Sequence, residues 1–190
     1  MDISPRPRGE LRYLNSSPAL YILKRYAKLS EEEPTPDFGP PLQKPKSPTG
    51  ADAVPIKRFT VETKGRALYD ITEEVQGHIK MMGVREGLAT LFIHHTSASL
   101  LINENADPAV HKDLIAYYDR LVPDGDPLFT HVEEGPDDMS AHVKATLTQV
   151  SLGMPIAGGR VDLGRWQGIY LFEHRKASYT RKLTLTVISA

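Results

Sequence analysis

Alternation of apolar and polar positions is clearest near the end of the chain. Over Arg181–Ile188, Leu183, Leu185 and Val187 face one way and Lys182, Thr184 and Thr186 the other, which predicts a half-buried strand. Ile56–Thr63 reads the same way, with Phe59 and Val61 inward, and Lys64–Gly65 turns the chain into a short strand, Arg66–Tyr69. The period then becomes helical. Ile71, Val75, Ile79 and Met82 line one face, Asp70 and Glu73 have the spacing of a capping box, and Gly83 is a stop signal. Leu88–His95 is a buried strand by composition.

A second helix starts at Asp107-Pro108, with Asp as N-cap and Val110, Leu114, Tyr117 and Leu121 as its inward stripe. A third starts near Asp137-Asp138 and carries Met139, Val143, Leu147 and Val150 inward. Strands follow at Ser151–Ile156, at Arg160–Leu163 after a Gly158-Gly159 turn, and at Gly168–Arg175. Strands that do not alternate strictly with helices predict an α+β fold rather than a doubly wound sheet. No strand is followed by a Gly-rich phosphate or dinucleotide loop.

This pattern stops short of the N-terminus. Ten of the fifteen prolines lie at or before Pro55, seven of them within Glu31–Pro55. Such a stretch has too little apolar surface to offset its ordering entropy, so residues 1–55 read as a Pro-rich extension and 56–190 as one domain. Within the extension, Pro18–Leu29 has the pattern of a short amphipathic helix, loosely docked.

Composition narrows the function. The 190 residues carry a net charge of -1, which disfavours wholesale nucleic-acid binding. No cysteine is present, so disulfides, thiolate metal sites and a cysteine nucleophile are excluded. No apolar run suits a membrane span, and the opening MDISPRPRGELRY lacks the apolar core of a secretion signal, so a cytoplasmic protein is expected.

The candidate chemistry is rich in histidine. All seven His stand at or after His78. His94 and His95 end a strand and must point to opposite faces, and alternation does not choose between them. His131, Glu133, Glu134, Asp137, Asp138 and His142 fall within twelve positions. Imidazoles with carboxylates suit Zn²⁺ and related ions, although one Asp serves equally to cap the helix. Asn103, Glu104 and Asn105 form a polar loop ahead of the second helix, and Trp166 and Gln167 precede a strand on which Glu173 and Arg175 share a face. Arg175 and Lys144 are candidate anion binders, and Glu104, Glu134 and Glu173 candidate acids or bases.

Three segments in order, HTSASLLINENADPAV (His95–Val110), HVEEGPDDMSAHVKATL (His131–Leu147) and SLGMPIAGGRVDLGRWQGIYLFEHR (Ser151–Arg175), resemble the hallmarks of the YjbQ-like family. The resemblance covers roughly residues 56–190. It implies a sandwich-like or pseudo-barrel, mostly antiparallel sheet with about three helices, assembled as a homotrimer. It implies a metal site at His95, His131 and His142, which selects His95 over His94. Glu134, Asp137 and Asp138 would then act as supporting groups or proton carriers. Asn103, Glu104, Asn105, Lys144, Trp166, Gln167, Glu173 and Arg175 are expected to bind substrate. Many members carry the description secondary thiamine-phosphate synthase, which joins an aminopyrimidine diphosphate to a thiazole phosphate with loss of pyrophosphate.

Two positions depart from the family pattern. Arg165 stands where Thr is usual, and Ser140 where Pro is common, with little effect expected from the second. The expectation is therefore a metal-dependent enzyme on a phosphorylated small molecule, with zinc as the ion, or Mg²⁺ if the substrate is a diphosphate. The alternatives are a zinc-type hydrolase and a non-enzymatic trimeric metal- or ligand-binding protein.

Overall fold

Eight strands and three helices make up the described part of the chain, in the order β1 (Ile56–Thr63), β2 (Ala67–Asp70), α1 (Thr72–Met82), β3 (Gly87–Ile93), β4 (Ala98–Glu104), α2 (Pro108–Leu121), α3 (Asp138–Thr146), β5 (Ser151–Ala157), β6 (Arg160–Val161), β7 (Gln167–Glu173) and β8 (Tyr179–Ser189). The structure is a computed structural model that describes residues 54–190; the Pro18–Leu29 helix and nearly all of the Pro-rich extension lie outside them. Every pairing is antiparallel. One sheet has the order β1-β8-β3-β5-β6 and the other β2-β7-β4. The fold is α+β with curled sheets, as the pattern and the resemblance predict.

The inner faces of the two sheets meet in one apolar core. Leu91, Ile93, Leu152, Met154, Leu183, Leu185 and Val187 come from the large sheet; Leu100, Ile169 and Leu171 from the small one. Ile71, Val75 and Ile79 of α1 complete it, matching the stripe read from the sequence. Gly83 ends that helix at φ 71°, a conformation side chains rarely adopt. On the far side of the small sheet lies α2, where the rings of His111 and Tyr118 meet Tyr170 and Phe172 edge-on at 4.6 and 5.5 Å. Among the described residues no helix is long and apolar enough to cross a membrane.

Several local expectations are corrected. Asp70 does not cap α1; it stays in β2, paired with Tyr170, and its Oδ1 accepts from Thr72 N at 2.9 Å, leaving Ile71 at the N-cap. Asp107 does cap α2, accepting from Ala109 N at 2.8 Å. Tyr117 and Leu121 of α2, however, are exposed, because the sheet is met by the adjacent face, through the ring edges of His111 and Tyr118. The largest reversal is α3. Leu147 and Val150 are exposed, whereas Asp138, Ser140, Ala141, Lys144 and Ala145 are buried. This helix lies on charged neighbours, so its polar face is its inner face.

Strand bounds shift as well. The strand expected at Leu88–His95 stops at Ile93, so His94 and His95 stand beyond it. The strand expected at Arg160–Leu163 shrinks to Arg160–Val161. A strand not anticipated, β4, pairs with β7 from Ala98↔Glu173 to Glu104↔Gln167.

Candidate metal centre

The turn from His131 to α3 gathers the principal site. Gly135, at φ 104°, reverses the chain so that Asp138 N donates to its carbonyl. Asp138 and His142 are four residues apart and share one face of α3. His131 Nε2 lies 2.9 Å and His142 Nε2 3.2 Å from Asp138 Oδ2. The three groups offer one ligand atom each, all within 4.8 Å of one another.

Their neighbours fix what each atom can do. His142 Nδ1 lies 3.1 Å from the carbonyl of Thr96 and must donate to it, so the neutral ring presents its lone pair at Nε2. Arg175 takes the other Asp138 oxygen, Oδ1, and also donates to the Glu134 carbonyl at 2.8 Å. Asp138 is thus oriented with Oδ2 toward the two rings. That oxygen is buried and accepts no hydrogen bond. A buried carboxylate oxygen facing two imidazole nitrogens, with nothing donating to it, fits a divalent cation of the zinc type.

The other expected site residues are distributed as follows. Asp137 accepts from Lys176 N at 2.7 Å and from Arg175 Nε at 3.3 Å. Burial works to raise its carboxyl pKa, but the Lys176 N–H and the Arg175 charge outweigh it and hold the group below the usual range. Glu134 is mostly exposed at the lip. His95 stands apart from the cluster. Its ring nitrogens face two donors, Lys182 N at 2.7 Å from Nε2 and Arg181 Nη1 at 3.4 Å from Nδ1. Burial first, then the Arg181 charge, pushes its pKa down. Within one chain the cluster therefore pairs two imidazoles with Asp138, and not with His95 as the resemblance implies.

Lys144 and Glu173 have no exposed surface. Lys144 Nζ lies 2.8 Å from Asp119 Oδ1, within a network where Arg66 bridges Asp119 and Asp124 at 2.7 and 2.8 Å. Glu173 is held by Arg181 through both carboxylate oxygens and by Thr63 Oγ1 at 2.8 Å. Arg175 is 7% exposed and engaged by Asp137 and Asp138. These three serve internal pairing, not an open anion site, because the fold closes over them.

Asn103, Glu104, Asn105, Trp166 and Gln167 sit at the opposite end of the β4–β7 ladder, six residues and roughly 20 Å away. They build a turn of their own: Asn105 N donates to the Trp166 carbonyl at 3.0 Å, and Gln167 Oε1 accepts from Gly164 N at 2.8 Å. Arg165 stacks 4.5 Å over the exposed Trp166 ring. Ser140 is fully buried and donates to Asp124.

Sequence reasoning did not single out the Thr96 carbonyl, Arg181 or the buried Ser99–His174 pair, whose Oγ and Nε2 lie 2.9 Å apart. The HTSAS segment held the signal for Thr96. Nothing local marked His174, since its partner Ser99 is distant in sequence, and Arg181 meets Glu173 only across the turn between β7 and β8.

The described span matches known proteins over nearly its whole length. The family model described as UPF0047 protein YjbQ-like matches residues 57–190. A UPF0047 protein of Synechocystis sp. is 42% identical over 129 residues, covering 68% of this chain and 88% of the relative. The UPF0047 protein YjbQ of Escherichia coli O157:H7 is 39% identical over 132 residues, covering 69% and 95%. The crystal structure of an uncharacterized conserved protein of the yjbq/upf0047 family from Clostridium acetobutylicum is 35% identical, with a TM-score of 0.64 over 70% of this chain and 99% of that one.

Proposed function

Because the chain belongs to the YjbQ-like UPF0047 family and its matched span holds this cluster, we propose that it is a metal-dependent enzyme acting on a phosphorylated small molecule, with His131, Asp138 and His142 holding a zinc-type ion. The observation that carries this reading is Asp138 Oδ2, buried without a donor between two imidazole nitrogens. Two nitrogens and one carboxylate oxygen suit zinc better than Mg²⁺. When bound, such an ion supplies an activated water at neutral pH and charge to polarise a phosphoryl oxygen.

The chain's own groups do the rest. The Thr96 carbonyl orients His142, and Arg175 holds Asp138 turned toward the two rings. Glu134, exposed beside them, is the carboxylate free to take and return a proton. The donor set favours hydrolysis of a phosphate ester or related bond over the pyrophosphate-releasing reaction of thiamine-phosphate synthases. A homotrimer, implied by the family resemblance, belongs to the same proposal.

The test is turnover by protein loaded with Zn²⁺, Mn²⁺ or Mg²⁺. The account predicts zinc-dependent phosphate release from phosphate monoesters, lost in His142→Ala. Pyrophosphate release from an aminopyrimidine diphosphate and a thiazole phosphate, supported by Mg²⁺, would move the reading to the synthase. Tight metal binding without turnover of either kind would remove the enzyme reading.

A further inference from the structure

The cations first expected to hold phosphate, Lys144 and Arg175, are consumed inside the fold. A different set is free. On the outer face of the large sheet, Arg58, Thr60, Lys182 and Thr184 come together because β1 and β8 pair Arg58↔Thr184 and Thr60↔Lys182. His94, just past β3, joins them through its backbone N–H to the Lys182 carbonyl at 3.0 Å and through Nε2, 2.7 Å from Thr184 Oγ1. With Phe59 and Leu183 beneath, these residues line an open groove of about 730 Å³. Neither Arg58 nor Lys182 has an ion-pair partner among the described residues. Glu62, the carboxylate on this face of β1, accepts from Thr180 Oγ1 at 2.9 Å and does not line the groove.

We propose that this groove is an anion site for a phosphoryl dianion, bound by Arg58, Lys182 and His94. Two fixed cations match a group carrying about -1.5 to -2 charge, and Arg58 can meet it bidentately. With its proton on Nε2, His94 donates to Thr184 Oγ1, which frees the Thr184 hydroxyl proton for the anion. The groove is larger than one phosphate. Its neighbour is a hollow of about 390 Å³ lined by Phe92, His94, His95, Thr96 and Ser97. His94 is the wall common to both, and Thr96 is the residue whose carbonyl holds His142. A phosphate seated at Arg58 and Lys182 is held apart from the metal centre, so it anchors a substrate by a group other than the one whose bond that centre would break. The inference extends the reading of that centre, but the anion site stands on its own residues.

The test is titration of the full chain with inorganic phosphate and with phenyl phosphate, by phosphorus NMR and calorimetry, after EDTA treatment and again with zinc. The proteins compared are wild type, Arg58→Ala/Lys182→Ala and His142→Ala. We expect both ligands to bind metal-free wild type, the double variant to bind about tenfold or more weakly, and His142→Ala to bind as wild type does. Tighter binding of phenyl phosphate identifies an ester as the occupant; equal affinities identify free phosphate. Unchanged zinc content in the double variant separates this site from the metal centre, so absence of zinc binding would sink the metal reading alone. Phosphate affinity that is unmeasurable in wild type, or retained by a folded double variant, overturns the proposal.

Discussion

β7 is apolar through Ile169 and Leu171, and polar or charged residues end it at Glu173 and follow it at His174 and Arg175. Ile169 and Leu171 point into the shared core, where any well-fitting hydrocarbon would do. Glu173 and His174 that follow are fully buried, and Arg175 is nearly so. The first half is held by area, which is non-directional. The second is held by paired charges with fixed geometry: Arg181 on Glu173, and Arg175 on Asp138. The difference assigns the two halves separate tasks. Apolar contact closes the sandwich, and the charged end aims Asp138, and through it the two imidazoles.

Two substitutions separate these tasks. Glu173→Ala leaves the Arg181 guanidinium buried without its carboxylate and is expected to cost about 3–5 kcal/mol. Leu171→Ala, two positions earlier, is expected to cost about 2–5 kcal/mol, with zinc affinity of the folded protein unchanged. Denaturant unfolding of each, beside zinc titration, measures both. If Leu171→Ala altered zinc affinity as much as stability, the two halves would not be separate.

A further effect concerns acid. His174 is pushed down to about 3, by burial first and then by the Lys144, Arg66 and Arg181 charges. As pH falls below 6.5 the unfolded chain takes a proton that the folded chain refuses. Stability should therefore drop by about 1.4 kcal/mol per pH unit until pH nears 3. Asp124 and Asp137, whose carboxyls are held below their ordinary 3.8, add a further loss only as pH falls past that value. His174→Gln should flatten the slope between pH 4 and 6.5 and leave the lower limb. An unchanged slope in that variant would assign it to other groups.

The same contrast decides what the sequence disclosed. β8, the α1 stripe and the Asp107 cap were legible because each depends on local period or local hydrogen bonding. The inner face of α3 was not. Leu147 and Val150 look inward by hydropathy, yet Lys144 is the buried residue, because its partner Asp119 sits 25 positions away on α2. β4 was not anticipated, since SASLLINE shows no strict alternation; its pairing with β7 gives it shape. At the site, the motifs identified His131 and His142. They could not show that Asp138, and not Asp137, turns to both rings, which Arg175 and the turn at Gly135 decide, or that His95 is engaged by Lys182 and Arg181, which follows from long-range packing.

The most direct measurement is zinc content per chain by elemental analysis, on protein purified without a His tag, for wild type, His131→Ala, Asp138→Asn, His142→Ala and His95→Ala. The account predicts about one ion per chain in wild type and in His95→Ala, and loss in the other three. Full occupancy in Asp138→Asn together with loss in His95→Ala would contradict it, and would make the ligand set three histidines.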